Sequence, residues 1–378
     1  MKTSIKIGSV FNIPIKVHFS FLFILALFTW VLSIETVYLF GFSIGFGNLP
    51  LNNTYKIFLG AIASILLFIC VLLHELGHSY LTQKFGHNVN RITLFIFGGS
   101  SETENIPKDP KKELRIALVG PLISLLIGIC FYTAYILLRP YNSILVASIL
   151  SNLFGTLSFY NIILAGFNLI PAFPIDGGRV LRSILAMKMS HQKATKTAAS
   201  IGKGVAIALG IFGIFFNLWL ALIAVFIFFG AYQEQRTSEI SDVLEGKKIN
   251  DLMRTNIHSV SPDTTIQKVY EKMKEYKKIV YPIVEDEKLH GVISIQDLKK
   301  VNKQNWFDVK AKQVMRTDVA TVQPDDDAFS VFKTLMKNNL DRVFVKDNEK
   351  LIGFISRNDF LKTIQFYNVT HKVDNGSV

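Results

Sequence analysis

IFLGAIASILLFICVLLHELGHSYLTQKF, residues 57–85, decides how this chain must be read. Its first half is an unbroken apolar run, and its second half carries the polar motif HELGH in the same helical frame. A helix needs about 20 apolar residues to cross a bilayer, and this run is long enough. Ionisable residues inside such a helix are costly and are normally retained for function. At 3.6 residues per turn, His74 and His78 share one face, with Glu75 beside them. Two imidazoles at that spacing can grip one Zn2+, and the adjacent carboxylate is placed to accept a proton.

Working outward, further runs of spanning length cover His18–Tyr38, Ile116–Leu138 and Ile144–Ile170. A last apolar region extends from Thr195 to Gln233, and its uncharged core, residues 204–233, is too long for one span and too short for two. Starting it at Thr195, with Lys203 at a polar interior or interface, gives two spans and a tight turn near Asn217. The expected fold is a polytopic α-helical membrane protein of six transmembrane helices. Lys and Arg crowd the N-terminal segment, the loop around 84–115 and the loop around 179–196, whereas only Lys56 and Arg139 stand in the loops between. By the positive-inside rule this alternation puts both termini in the cytoplasm of a multi-pass cell-membrane protein.

Charge divides the chain in two. Residues 1–230 carry 17 Lys+Arg against 7 Asp+Glu, and residues 231–378 carry 24 against 22. Most of the net +12 therefore belongs to the apolar part, where basic membrane loops account for it and no nucleic-acid partner is implied. The two cysteines, Cys70 and Cys130, both lie in apolar runs and exclude a disulfide framework. No cleavable signal peptide is expected, because no small-residue cleavage site follows the first apolar run.

A catalytic zinc wants three protein ligands, so two histidines are not enough. Acids are scarce in the apolar part, and Asp176 stands in a Pro/Gly-rich break, PAFPIDGG (171–178), at the end of an apolar run. It is the expected third ligand; the alternative is an N-cap on the following helix, Arg179–Met189. The whole PAFPIDGG stretch is expected to be non-helical. RITLFIFGG (91–99) is short, rich in β-formers and closed by glycines, which suggests a β-hairpin or re-entrant segment.

The C-terminal part is duplicated. DLMRT (251–255) recurs as QVMRT (313–317), and GVISIQDL (291–298) as GFISRNDF (353–360), both at an offset of 62 residues. Each copy is expected to hold a helix (Ile266–Tyr276, Ala328–Asn338) and a strand (Ile279–Val284, Arg342–Val345). The expected domains are 1–233 in the membrane, a linker 234–248, and a soluble α/β pair 249–378 with repeats 249–310 and 311–370.

VLLHELGHSY (71–80) and NLIPAFPIDGGRVLRSIL (168–185) resemble the two motifs of site-2 proteases, the intramembrane zinc metalloproteases. The likeness is to archaeal and bacterial members with an appended tandem CBS pair. The resemblance implies that His74, His78 and Asp176 hold one Zn2+, that Glu75 is the general base, and that Asn168 helps hold substrate or oxyanion. A transmembrane substrate must unwind locally, because a helix hides its amides, and the edge of Ile92–Phe97 is expected to receive the unwound strand by backbone pairing. The duplicated tail resembles a CBS pair, which implies ATP or AMP contacts at Ser294, Asp297, Ser356 and Asp359; helix capping is the alternative role for those aspartates. Such pairs often stack, which implies a homodimer. Two other readings share the spans and the tail: a CBS-regulated channel or transporter, and a catalytically inactive scaffold of the same fold.

Overall fold

The computed structural model describes residues 4–96, 98–103 and 109–374, excluding the side chains of residues 103 and 368–374. Phe97, within the anticipated hairpin, lies outside the described residues. The chain forms two units, Met1–Arg236 and Thr237–Val378.

In the first unit, β1 (Ser4–Val10) and β2 (Ile13–His18) form a hairpin ahead of helix α1 (Ser20–Ile34). A second hairpin follows, β3 (Thr36–Leu39) with β4 (Phe42–Gly45). The expected first span, His18–Tyr38, is thus corrected. Thr36, Val37 and Tyr38 favour extended backbone, so α1 stops at 15 residues, about 22 Å of rise against about 30 Å of hydrocarbon.

Five described helices are long and apolar enough to cross a membrane: α2 (Asn53–Lys84), α3 (Pro110–Leu138), α4 (Leu145–Asn168), α6 (His191–Phe216) and α7 (Leu218–Leu244). Their starts are set locally. Asn52 caps α2 by accepting from the Tyr55 N–H at 3.1 Å, and Asp109 caps α3, which has Pro110 in its first turn. The last apolar region breaks between α6 and α7 at Asn217, as its length required. α3 and α4 pack through small residues, with Ser158 Oγ donating to the Gly128 carbonyl at 2.7 Å. Phe215, Phe216, Leu218 and Trp219 are exposed around the α6–α7 turn, a surface suited to lipid.

Between α2 and α3, strands β5 (Val89–Phe95) and β6 (Gly98–Thr103) make the anticipated hairpin. It does not stand alone. β5 pairs in parallel with β2, which gives a four-stranded sheet ordered β1-β2-β5-β6. Segments more than 70 residues apart meet in that pairing, and their alternating apolar residues bury Ile13, Ile15, Ile92 and Leu94.

Helix α5 (Asp176–Ala186) begins two residues after Pro174. The reading of PAFPIDGG as wholly non-helical is corrected: only Pro171–Ile175 is irregular, and Asp176, Gly177 and Gly178 open the helix. Ile175 occupies the N-cap position without a side-chain bond, so Asp176 is free of capping duty. α5 is tied down by Arg182, only 3 % exposed, which bonds Glu113 of α3 and Glu234 of α7 and stacks over Phe173. Removing one partner from a buried ion pair is far more damaging than never having had it.

The second unit repeats its central hairpin residue for residue. It contains α8 (Ile249–Leu252), α9 (Ile266–Tyr276), β7 (Val280–Glu285), β8 (Lys288–Ser294), α10 (Ile295–Leu298), β9 (Thr321–Val322), α11 (Ala328–Lys337), β10 (Arg342–Asp347), β11 (Lys350–Ser356) and α12 (Arg357–Asp374). β7 and β8 map onto β10 and β11 at the offset of 62 seen in the sequence. Even the hairpin turns match, with positive φ at Asp286 and Glu287 and again at Asn348 and Glu349. The hairpins join into one sheet, β7-β8-β11-β10-β9.

Candidate metal centre

α2 delivers His74 and His78 one turn apart, and the start of α5 delivers Asp176. His74 Nε2 lies 3.2 Å from Asp176 Oδ2, His78 Nε2 lies 3.1 Å from the same oxygen, and the two Nε2 atoms are 3.1 Å apart. Both histidines are buried. This is the one His/Cys/Asp/Glu group among the described residues arranged to hold a metal ion.

The far side of each ring is also fixed. His78 Nδ1 lies 2.6 Å from the Ile116 carbonyl, which can only accept; Nδ1 therefore carries the proton and Nε2 presents its lone pair to the centre. His74 Nδ1 pairs with Ser124 Oγ at 2.9 Å. Such outer partners orient metal-binding imidazoles. Gly120 of α3 leaves room for both rings: a Cβ there would fall 2.1 Å from His78 Nε2 and 2.7 Å from His74 Nε2.

The fit to zinc can be tested on geometry alone. Tetrahedral donors at about 2.0–2.1 Å from an ion stand about 3.3 Å from one another. The observed triangle, with edges of 3.1–3.2 Å, is close to that. The donor set of two neutral imidazoles and a carboxylate, with one face open, is that of catalytic rather than structural zinc.

That open face borders a cavity of about 560 Å³ lined by His74, Glu75, Gly99, Ser100, Asn168 and Asp176, among others. Glu75 is half-buried on its wall, with β6 packed against it so closely that a Cβ on Gly99 would meet Glu75 Cγ at 2.4 Å. Asn168, the last residue of α4, lines the cavity without a side-chain bond to the donor triad. The expected strand-accepting edge is corrected. β5 is covered on both sides, by β2 and β6, and the edge beside Glu75 belongs to β6. The sequence reading missed Ser124, Gly120 and the Ile116 carbonyl, which look like ordinary packing in an apolar helix. Only the one-turn spacing of Gly120 and Ser124 hinted at a shared face.

Ser294, Asp297, Ser356 and Asp359 all belong to the second unit. Each pair forms a cap: Ser294 Oγ donates to Asp297 at 2.5 Å, and Ser356 Oγ to Asp359 at 2.6 Å. Each aspartate also holds an arginine from the opposite repeat, Arg316 on Asp297 and Arg254 on Asp359. Burial raises both carboxyls, but the serine and basic partners outweigh it and hold them below the usual range.

The profile described as Peptidase family M50 matches residues 62–146 and 140–209, and the CBS domain profile matches 249–303 and 311–365. A protein named zinc metalloprotease from Methanocaldococcus jannaschii is 37% identical over 96% of this chain and 97% of its own length. A relative from Synechocystis is 29% identical over 97% of this chain and 96% of its own. The solved site-2 protease from Methanocaldococcus jannaschii is 38% identical, covers 62% of this chain and 95% of its own, and superimposes with a TM-score of 0.42. With both motifs intact, five spanning-length helices and a relative matched end to end, the chain is a multi-pass membrane protein of peptidase family M50, the site-2 proteases, with a C-terminal CBS pair.

Proposed function

We propose that this chain is a zinc-dependent endopeptidase that cuts membrane-protein substrates within or near their transmembrane segments. The triangle of His74, His78 and Asp176 beside Glu75, on the wall of one cavity, carries the reading. Bound zinc would polarise the scissile carbonyl and bring the pKa of a water towards neutrality. Glu75 accepts the proton of the attacking water and hands it to the leaving amine. Asn168, which lines the same cavity, is read as the donor to the carbonyl oxygen as it gains charge. A channel or transporter with the same tail has no use for this donor set.

A helical substrate hides its amides and must unwind to be cut. The unwound strand pairs with the outer edge of β6, next to Glu75. Of the neighbours Ser100 and Ser101, one N–H faces β5 and the other faces outward. Proline at the outward one, recognised by an unchanged melting temperature, is expected to lower cleavage about tenfold, the worth of one hydrogen bond, with zinc content unchanged. Full cleavage by both proline variants would remove the β6 edge from the mechanism.

Loop charge supports cytoplasmic termini, with water reaching the site from that side. The capped Ser/Asp pairs of the second unit are read as an adenine-nucleotide site that regulates cleavage, and stacking of two CBS pairs as the route to a homodimer. The test of the proposal is metal removal. Chelation is expected to abolish cleavage of a model transmembrane substrate, and one equivalent of zinc per chain to restore it. Undiminished cleavage after the metal is gone would end the reading.

A further inference from the structure

The cavity beside the donor triad runs on past the metal ligands. On α2 its lining continues from Glu75 and His74 back to Phe68 and Leu67, and on α4 from Asn168 back to Asn161. Asn161 and Asn168 stand seven residues apart, two helical turns, and so share a face. Asn161 is 1 % exposed. Its Nδ2 donates to the Leu157 carbonyl of its own helix at 2.8 Å. A carbonyl only accepts, which fixes the amide with its oxygen on the other side, and that Oδ1 is buried without a hydrogen-bond partner. An asparagine that serves as glue between membrane helices spends its bonds on a neighbouring helix. This one spends its donor on α4 and leaves its acceptor unpaired.

Its neighbours measure the distance to the chemistry. On α2 Asn161 meets Cys70, one turn before His74; a thiol is only a weak donor. On α3 it faces Gly128, where an added Cβ would lie 3.5 Å from the Asn161 Cβ. Gly128 is one turn after Ser124, the partner of His74 Nδ1. Both helices thus place Asn161 one turn from His74, about 6 Å along the axis, which an extended chain covers in about two residues. An unwound strand laid along the β6 edge pairs on one side only. Its N–H groups alternate between the two sides, and those turned away from β6 enter a chamber walled by Leu67, Phe68 and Leu164. A donor left unpaired in such surroundings is costly, and so is an unpaired acceptor.

We propose that Asn161 is a substrate-binding residue whose Oδ1 accepts a backbone N–H of the unwound strand, about two residues from the scissile bond and on the side turned away from β6. The proposal rests on the reading of the chain as a protease and adds where the substrate backbone is held beyond the zinc. β6 and α4 then grip the strand from opposite sides, and a segment that stays helical, with its N–H groups bonded internally, cannot satisfy Asn161.

The test uses the full-length protein in detergent and synthetic transmembrane peptides in which each amide within four residues of the scissile bond, that bond excepted, is replaced in turn by an ester. The ester removes one N–H and keeps the chain length. At one position, about two residues from the cut, it is expected to raise KM about tenfold, the worth of one hydrogen bond, with kcat within threefold. Asn161→Leu should raise KM to a similar extent on the all-amide peptide, keep one zinc per chain, and be indifferent to that ester, because the two changes remove the same contact. Peptide affinity measured by fluorescence anisotropy in the Glu75→Gln background should follow the same pattern without turnover. Asn161→Ala carries the test if leucine costs the protein its zinc. An unchanged KM in the zinc-loaded variant, a fall in kcat alone, or an ester effect that survives in the variant at every position would overturn the proposal and leave the protease reading standing. Peptide binding that depends on both Asn161 and one ester position, in a wild-type protein that cuts nothing, would uphold the contact and sink the protease reading.

Discussion

Replacing Glu75 with glutamine is expected to lower cleavage about 1000-fold, the middle of the range for a lost general base, or about 4 kcal/mol of barrier. The change is close to isosteric. Glu75 fills a slot between α2 and β6, where Gly99 leaves room for its Cγ and no more. Glutamine fits that slot but cannot accept the proton of the attacking water. The donors His74, His78 and Asp176 are untouched, so zinc should stay at one per chain. Cleavage within tenfold of wild type, with the metal in place, would remove Glu75 from the chemistry and revive the reading of the chain as an inactive scaffold.

The second large effect is expected at a residue with no functional group. A Cβ on Gly120 would stand 2.1 Å from His78 Nε2 and 2.6 Å from its Cε1, far inside contact distance. Neither imidazole can swing away freely, because each is bonded at Nδ1, His78 to the Ile116 carbonyl and His74 to Ser124. Gly120→Ala therefore has to break one of these bonds or push α3 off α2. Losing an outer partner alone weakens metal binding roughly 10–100-fold, and this substitution also disturbs the donors themselves. The expected outcome is loss of zinc and of all measurable cleavage, with helix content by circular dichroism preserved. Gly166→Ala on α4, where a Cβ would meet nothing, is the control and should be silent. Normal zinc and activity in Gly120→Ala would mean that the donor triangle is not the metal site.

The sequence made local features legible and left long-range ones out of view. α2 and its HELGH face follow from helical period and hydropathy. Asp176 follows from the scarcity of acids and from its place beside Pro174. The duplication follows from an offset that strands, turns and φ signs all keep. The first span was overread because hydropathy counts Val37 and Tyr38 as membrane core, although Thr36–Tyr38 prefers a strand. β6 was hard to see because Gly98, Gly99, Ser100 and Ser101 have little strand propensity; they pair only because β5 is there to receive them. The parallel pairing of β2 with β5 leaves no local trace, so the wrong edge was assigned to substrate. Gly120 and Ser124 read as small packing residues until the rings they face are in place.

The donor triangle joins α2 to α5, with His78 and His74 standing 98 and 102 residues from Asp176 along the chain. An ion seated there is also a cross-link, closing a long loop in the folded chain and nothing comparable in the unfolded one. By mass action, each tenfold rise in free zinc above the dissociation constant adds about 1.4 kcal/mol to the folded state. Metal supply is thus expected to set the stability of the fold as well as its turnover. A chain without zinc is expected to hold α5 on α2 less firmly, with the Arg182 ion pairs left to keep it in place.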